Sequence, residues 1–170
     1  MSPLKEDKYD LNRIIIRPLY FGMVVNILIP MGLLLVCYYF ETQQSWYNRI
    51  GQSANTLFYI FAAAAVVQAG VAVWWRSKIV NWPMIRSKET FEDDLVRSLS
   101  ATTRPISLII AGISLYGVIY FYLTARFKET LFLVVFSFVV FQVIRPRFGF
   151  IRKLIERQEA MVEKGEFLRD

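Results

Sequence analysis

The sequence TLFLVVFSFVVFQVIRPR, residues Thr130–Arg147, is apolar over almost its whole length and then ends abruptly in charge. An α-helix rises about 1.5 Å per residue, so a stretch of this kind nearly covers the roughly 30 Å of hydrocarbon in a bilayer. Gln142 lies near its end, and Arg145-Pro146-Arg147 stops it, because proline has no N–H to continue the helix and arginines prefer the interface. The pattern predicts a transmembrane helix that ends at a membrane surface.

Three earlier stretches have a similar length and composition, namely Pro18–Phe40, Thr56–Trp75 and Pro105–Thr124. The whole chain is 55% hydrophobic and 16% aromatic, and its charges lie between the apolar stretches. Such a composition is typical of a membrane protein and not of a soluble domain. We therefore predict an all-α membrane protein with four transmembrane helices.

The two halves of the chain resemble each other. The matching pairs are Thr56-Leu57-Phe58 with Thr130-Leu131-Phe132, Gln68 with Gln142, and Arg17-Pro18 with Arg104-Pro105. Each half has a polar lead-in followed by two apolar stretches, which predicts two similar transmembrane hairpins. The predicted parts are a lead-in (1–17), the first hairpin (18–75), a polar segment with a short helix (76–104), the second hairpin (105–148) and a helical tail (149–170).

The distribution of basic residues predicts the topology. Of the 20 Lys and Arg, 17 lie in the lead-in, in the central polar segment, or from Arg145 to the end of the tail. By the positive-inside rule these three segments face the cytoplasm, or the interior of an organelle of bacterial descent. The predicted location is therefore a cell inner membrane or such an organelle's inner membrane. Both halves would share one orientation, unlike the inverted repeats of many transporters.

The polar segments carry amphipathic patterns. Leu11, Ile14 and Ile15 fall on one face at helical spacing, and we expect this face to lie on the membrane surface. In the central segment, Thr90 with Asp93 three residues later predicts a capping box and the start of a short helix.

An acidic cluster surrounds this predicted helix start, formed by Glu89, Glu92, Asp93 and Asp94. Negative charge is favourable at a helix N-terminus, which is the simplest interpretation of the cluster. A divalent cation or a basic partner surface is the alternative ligand.

A few polar residues interrupt the apolar stretches. Pro30 cannot donate to the carbonyl of Asn26, so a kink is expected there. Gln68 predicts a hydrogen bond to another helix, with a substrate as the alternative partner, and Gln142 predicts a helix-packing or polar membrane contact. Small residues form two predicted packing faces, Ala62, Ala65, Ala69 and Ala72 in the second stretch and Ser107, Ala111, Ser114 and Gly117 in the third.

Residues for catalysis or cofactor binding are sparse. The chain has no histidine and a single cysteine, Cys37, which removes the usual haem ligand, the imidazole base and a cysteine zinc site. We predict no enzyme activity, no cofactor, no metal and no nucleic acid partner. Arginines at the ends of the apolar stretches predict contacts with anionic lipid headgroups or partner subunits, at Arg17, Arg76, Arg104, Arg145 and Arg147.

One family resemblance follows from the last apolar helix. The sequence Gln142-Val143-Ile144-Arg145-Pro146, together with four spans and cytoplasmic ends, resembles ATP synthase protein I. That family assists assembly of the c-ring of the rotary enzyme, and it tends to have glycines where the second stretch here has alanines. The resemblance implies an assembly role in an energy-transducing membrane.

These observations predict a non-enzymatic accessory or assembly subunit of a larger membrane complex. One alternative is a small oligomeric transporter or channel, in which Asn26, Gln68 and Gln142 would face a common aqueous path. Another is a membrane-shaping scaffold whose lead-in helices act as wedges.

Overall fold

The computed structural model describes residues 9–43 and 50–168, and within these ranges every regular element is a helix. The α-helices are α1 (Leu11–Met23), α2 (Ile29–Thr42), α3 (Ala54–Ile79), α4 (Phe91–Thr124), α5 (Phe127–Ile144) and α6 (Phe148–Glu163). A π-helix, Val24–Leu28, joins α1 to α2, and a 3-10 turn, Gly51–Ser53, precedes α3.

Four helical segments are long and apolar enough to cross a membrane: Leu11–Thr42, Gly51–Ile79, Phe91–Thr124 and Phe127–Ile144. This confirms the prediction of an all-α chain with four helices of transmembrane length and composition. Four such helices are compatible with a multi-pass membrane protein.

The first lead-in is continuous with the span that follows it. α1 begins at Leu11 because the Asp10 carboxylate accepts hydrogen bonds from the backbone N–H groups of Asn12 (3.0 Å) and Arg13 (3.1 Å). Residues 1–8 of the predicted lead-in lie outside the described part of the chain.

The second lead-in is also continuous with its span. α4 starts after Thr90, as predicted, and runs through Pro105 to Thr124, so the predicted short helix and the third span form one helix. The predicted capping box is not formed, since the Thr90 hydroxyl donates to Asp94 at 2.8 Å and caps no backbone N–H.

α4 is the central helix, and it packs most closely on α5. The Thr130 hydroxyl donates to the carbonyl of Gly117 (3.1 Å), and the Ser137 hydroxyl donates to the carbonyl of Ile110 (3.0 Å). The later residue of α5 bonds the earlier residue of α4, so the two helices are antiparallel. Gly117 and Ser114 are buried, which confirms this part of the predicted small-residue face.

α1 runs parallel to α4. Arg13 Nη2 lies 2.9 Å from the Asp93 carboxylate, and further along both helices the Arg104 guanidinium lies 5.7 Å from the centre of the Phe21 ring. Within the described residues, α2 and α3 each pack on α4 and α5, but α3 makes no extensive contact with α1 or α2. The main contacts of α2 and α3 are thus with α4 and α5.

The polar segments share one apolar core. The fully buried members that come from the start of α1, the turn before α4, the first half of α4 and α6 are Ile14, Ile85, Leu95, Leu99, Ile151 and Leu154. The same core continues into α3 through Ala72 and Ile79. We use the name cap for the layer formed by the start of α1, residues 80–90, the first half of α4, and α6. Ile14 and Ile15 are only 0% and 6% exposed, so the face expected on the membrane surface packs against protein instead.

Candidate functional site

The end of α5 carries an unusual backbone arrangement. Pro146 lies four residues after Gln142 and has no N–H, so the Gln142 carbonyl loses its helical partner. The Arg147 guanidinium supplies the missing donor at 2.9 Å. Gln142 was predicted as a polar membrane contact and Arg147 as a lipid or partner contact. The two residues meet at the C-terminal end of α5, where Gln142 contributes its backbone carbonyl.

Arg76 from the end of α3 completes this arrangement. Its Nη1 donates to the carbonyl of Val143 (2.5 Å) and its Nη2 to the carbonyl of Arg145 (3.3 Å), while its guanidinium carbon lies 4.5 Å from the centre of the Phe150 ring. A cation at a helix C-terminus also complements the helix dipole. The half-buried Arg76 thus fastens α3 to the junction of α5 and α6, whereas the side chain of Arg145 is exposed.

Asn26 lies where the first span departs from regular α-helix. In the π-helix before Pro30, the N–H of Ile29 bonds the carbonyl of Val24, five residues back. The Asn26 amide is buried and donates to the Gly22 carbonyl at 3.1 Å, but its oxygen has no hydrogen-bond partner among the described residues. Next to Pro30 the first span therefore contains a π-helix, and the Asn26 side chain donates to a carbonyl of its own helix. The predicted kink stays a prediction.

Gln68 makes the interhelical hydrogen bond that was predicted for it. Its Nε2 donates to the carbonyl of Ile109 on α4 at 2.5 Å, and Gly112 leaves the space that the amide occupies. Ser107, also on α4, is buried and faces Gly22 of α1. These residues are therefore contacts between helices, and Gln68 and Gln142 do not have equivalent surroundings despite their matching positions in sequence.

The acidic cluster is divided among different partners. Arg13 reaches Asp93 at 2.9 Å and Glu92 at 3.5 Å, while Asp94 accepts from the backbone N–H of Arg86 at 2.9 Å. Among the described residues no three carboxylate, cysteine or histidine side chains converge on a point that could hold a metal ion. The cluster joins α1 to α4 and fixes the turn before α4.

Gln158 is a residue that sequence reasoning missed. It lies among the charges of α6 but is 0% exposed, donating to the carbonyl of Trp82 (2.8 Å) and accepting from the N–H of Met84 (2.9 Å). A glutamine on the apolar stripe of an amphipathic helix, in line with Ile151, Leu154 and other buried positions, was the available signal. Its amide holds the turn before α4 against α6.

An open groove of about 960 Å³ lies between α1 and the first half of α4. Its lining includes Arg17 and Arg104, which the sequence predicted as lipid or partner contacts at the ends of apolar stretches. It also includes Arg97, which was not predicted. Arg97 lies seven residues before Arg104, two helical turns on the same face, so its spacing could have revealed it.

No protein-family model, curated protein or solved structure matches this chain. Its function is therefore inferred from its own contacts and exposed surfaces.

Proposed function

We propose that this chain is a non-enzymatic accessory or assembly subunit of a larger membrane complex. It would reside in a cell inner membrane, or in an organelle inner membrane of bacterial descent, with both termini and the cap on the cytoplasmic or equivalent side. Its partners would be other membrane subunits and anionic lipid headgroups. The resemblance to ATP synthase protein I makes an energy-transducing complex the first candidate.

The proposed topology is supported by the way the polar segments meet. The start of α1, the segment before α4 and α6 pack into one cap, which is expected if all three lie on the same side of the membrane. They belong to the three polar parts of the chain that hold the 17 basic residues predicting the cytoplasmic side. The parallel course of α1 and α4 is the relation that two halves of equal orientation require.

The observation that carries the proposal is the uncovered surface of the first two spans. In the most apolar 18-residue stretch of each of these two spans, only 17% and 11% of the stretch is buried within the protein. The corresponding shares are 44% and 39% in the third and fourth spans. Gly32 and Gly70 lie on these surfaces, and apart from the adjoining backbone of the same helix no described atom lies within 4 Å of where a Cβ would be. Glycine weakens a helix by about 0.5–1 kcal/mol but permits close approach of another membrane helix. Since this chain does not use that approach, a helix of another subunit is the proposed occupant.

The intramembrane polar groups give the same indication. The side chains of Gln68, Thr130 and Ser137 each bond a backbone carbonyl of α4. Side chains used in this way stabilise helix packing and are less available to line a transport path.

The test is to extract the protein gently from its own membrane, measure its native mass, and identify every chain that co-migrates. We expect stoichiometric recovery with larger subunits. Gly70→Leu should reduce that recovery without lowering the thermal stability of the protein, because the site is open. Val135→Leu, on the exposed face of α5, is the matched control and should leave recovery unchanged.

Recovery as a homo-oligomer alone would contradict an accessory role. Flux in liposomes that is abolished by Asn26→Leu, Gln68→Leu or Gln142→Leu would then establish the transporter or channel. A Gly70→Leu variant that keeps its partner would exclude the exposed face of α3 as the contact.

A further inference from the structure

The groove between α1 and α4 lies at the boundary between the cap and the apolar spans. Arg17 and Arg104 line it, and each immediately precedes the proline that begins an apolar stretch. Arginines at such positions lie at the level of lipid phosphates. The groove is open at its side and has a volume of about 960 Å³, within the size range of small-molecule sites.

The groove has an excess of positive charge. Arg13, Arg17, Arg97 and Arg104 line it with a single carboxylate, Asp93, which lies 2.9 Å from Arg13 and so is already paired. Within residues 9–43 and 50–168, no carboxylate forms an ion pair with the other three arginines. Like charges gathered in this way repel one another, so a bound anion would stabilise the arrangement. Guanidinium groups match the geometry of phosphate oxygens especially well.

The wall of the groove that is formed by α1 and the residue after it is apolar. It is lined by Ile16, Tyr20, Phe21 and Val24, of which Ile16 is 60% and Tyr20 71% exposed. Ser100, which lies between Arg97 and Arg104 in the sequence of α4, also lines the groove, and its hydroxyl oxygen is buried without a hydrogen-bond partner among the described residues. Buried hydroxyls normally have a partner, so Ser100 is a donor available to a ligand.

We propose that this groove binds one anionic glycerophospholipid. Its phosphate lies among Arg17, Arg97 and Arg104, with Ser100 donating to a phosphate oxygen, and one acyl chain follows the apolar wall of α1. A soluble phosphate would use the basic rim but leave this wall exposed, which is why a lipid fits better. This site is specific and stoichiometric, unlike the general attraction of basic segments to a membrane, and it does not depend on the accessory role.

The experiment uses native mass spectrometry of the full-length protein in mild detergent. Phosphatidylglycerol and phosphatidylcholine with identical acyl chains are added in turn. We expect one retained phosphatidylglycerol and little phosphatidylcholine. Arg97→Gln with Arg104→Gln should weaken retention at least about tenfold, since hydrogen bonds to charged groups are lost.

Two further variants separate the site from charge alone. Ala101→Trp should also abolish retention, because Ala101 lines the groove and a large ring would fill it without changing the charge. Lys153→Gln with Arg157→Gln removes the same charge from the exposed face of α6 and should leave retention intact. Thermal unfolding of each variant checks that the fold is preserved, and the arginine pair carries the test if Ala101→Trp does not fold.

Three results would overturn the proposal. Equal retention of the two lipids would show that the groove does not select a headgroup of net negative charge. Equal loss in the α6 control would show only a general attraction of basic residues to anionic lipid. Inorganic phosphate that stabilises the protein through Arg97 and Arg104, with no lipid retained, would make the groove a site for a soluble anion.

Discussion

Replacing Gly117 by alanine tests the packing of α4 on α5. A Cβ at this position would lie 3.0 Å from the backbone oxygen of Thr130, 3.3 Å from Val134 Cγ2 and 3.4 Å from Leu133 Cβ. The nearest atom belongs to the backbone and cannot rotate away, so the two helices would have to separate by a few tenths of an ångström. That movement would also stretch the 3.1 Å hydrogen bond from the Thr130 hydroxyl to the Gly117 carbonyl.

The magnitude follows from two opposing terms. Overpacking a well-packed contact costs about 1–3 kcal/mol, whereas alanine in place of glycine inside a helix contributes about 0.5–1 kcal/mol of stability. Gly70→Ala isolates the second term, because apart from the adjoining backbone of α3 no described atom lies within 4 Å of its Cβ position. The difference between the two variants should therefore be about 1–3 kcal/mol, or roughly 2–4 °C in unfolding midpoint for each kcal/mol.

The assay is thermal unfolding of both full-length variants in the same detergent, followed by tryptophan fluorescence. Gly70→Ala should unfold at or slightly above the temperature of the unmodified protein, and Gly117→Ala clearly below it. Equal midpoints for the two variants would refute the close approach of α4 and α5 at this position.

Three other substitutions test single contacts. Gln68→Leu should lower the free energy of unfolding by about 0.5–2 kcal/mol, because the bond to the Ile109 carbonyl is lost within the membrane. Arg76→Lys should lower it by about 1–2 kcal/mol, because a compact ammonium cannot reproduce the forked contact with two carbonyls at the end of α5. Gln158→Leu should cost about 1–3 kcal/mol and speed hydrogen exchange in residues 80–90, because the buried N–H of Met84 loses its acceptor.

Each of these substitutions has a matched control in the chain. Gln142→Leu should cost less than Gln68→Leu, because Gln142 contributes its backbone carbonyl. Lys78→Gln, at an exposed position two residues after Arg76, and Glu156→Leu, on the exposed face of α6, should each have small effects. A control as damaging as its partner would show that the named hydrogen bond is not the cause, and unchanged exchange in Gln158→Leu would contradict its role in the cap.

Several features of the fold depend on neighbouring residues in the chain, and these were predictable. Hydropathy over about 20 residues identifies the spans, and Pro146 marks the end of α5 because proline has no N–H. The start of α4 after Thr90 was also predicted, although the capping box expected there is not formed. The bond from Gln68 was also foreseen, because an amide in an apolar helix has few other partners than a neighbouring helix.

Three features depend on residues far apart in sequence: the cap, the hydrogen bonds from Arg76 to the end of α5, and the groove. Ile14 packs in the same core as Leu95 and Ile151, and an amphipathic pattern is the same whether its apolar face meets lipid or protein. Arg17 and Arg97 share a groove only because α1 packs parallel to α4. The sequence alone determined the helices and their membrane character, since both arise from local composition, and the tertiary structure decided which faces meet, since that choice is made by packing between distant segments.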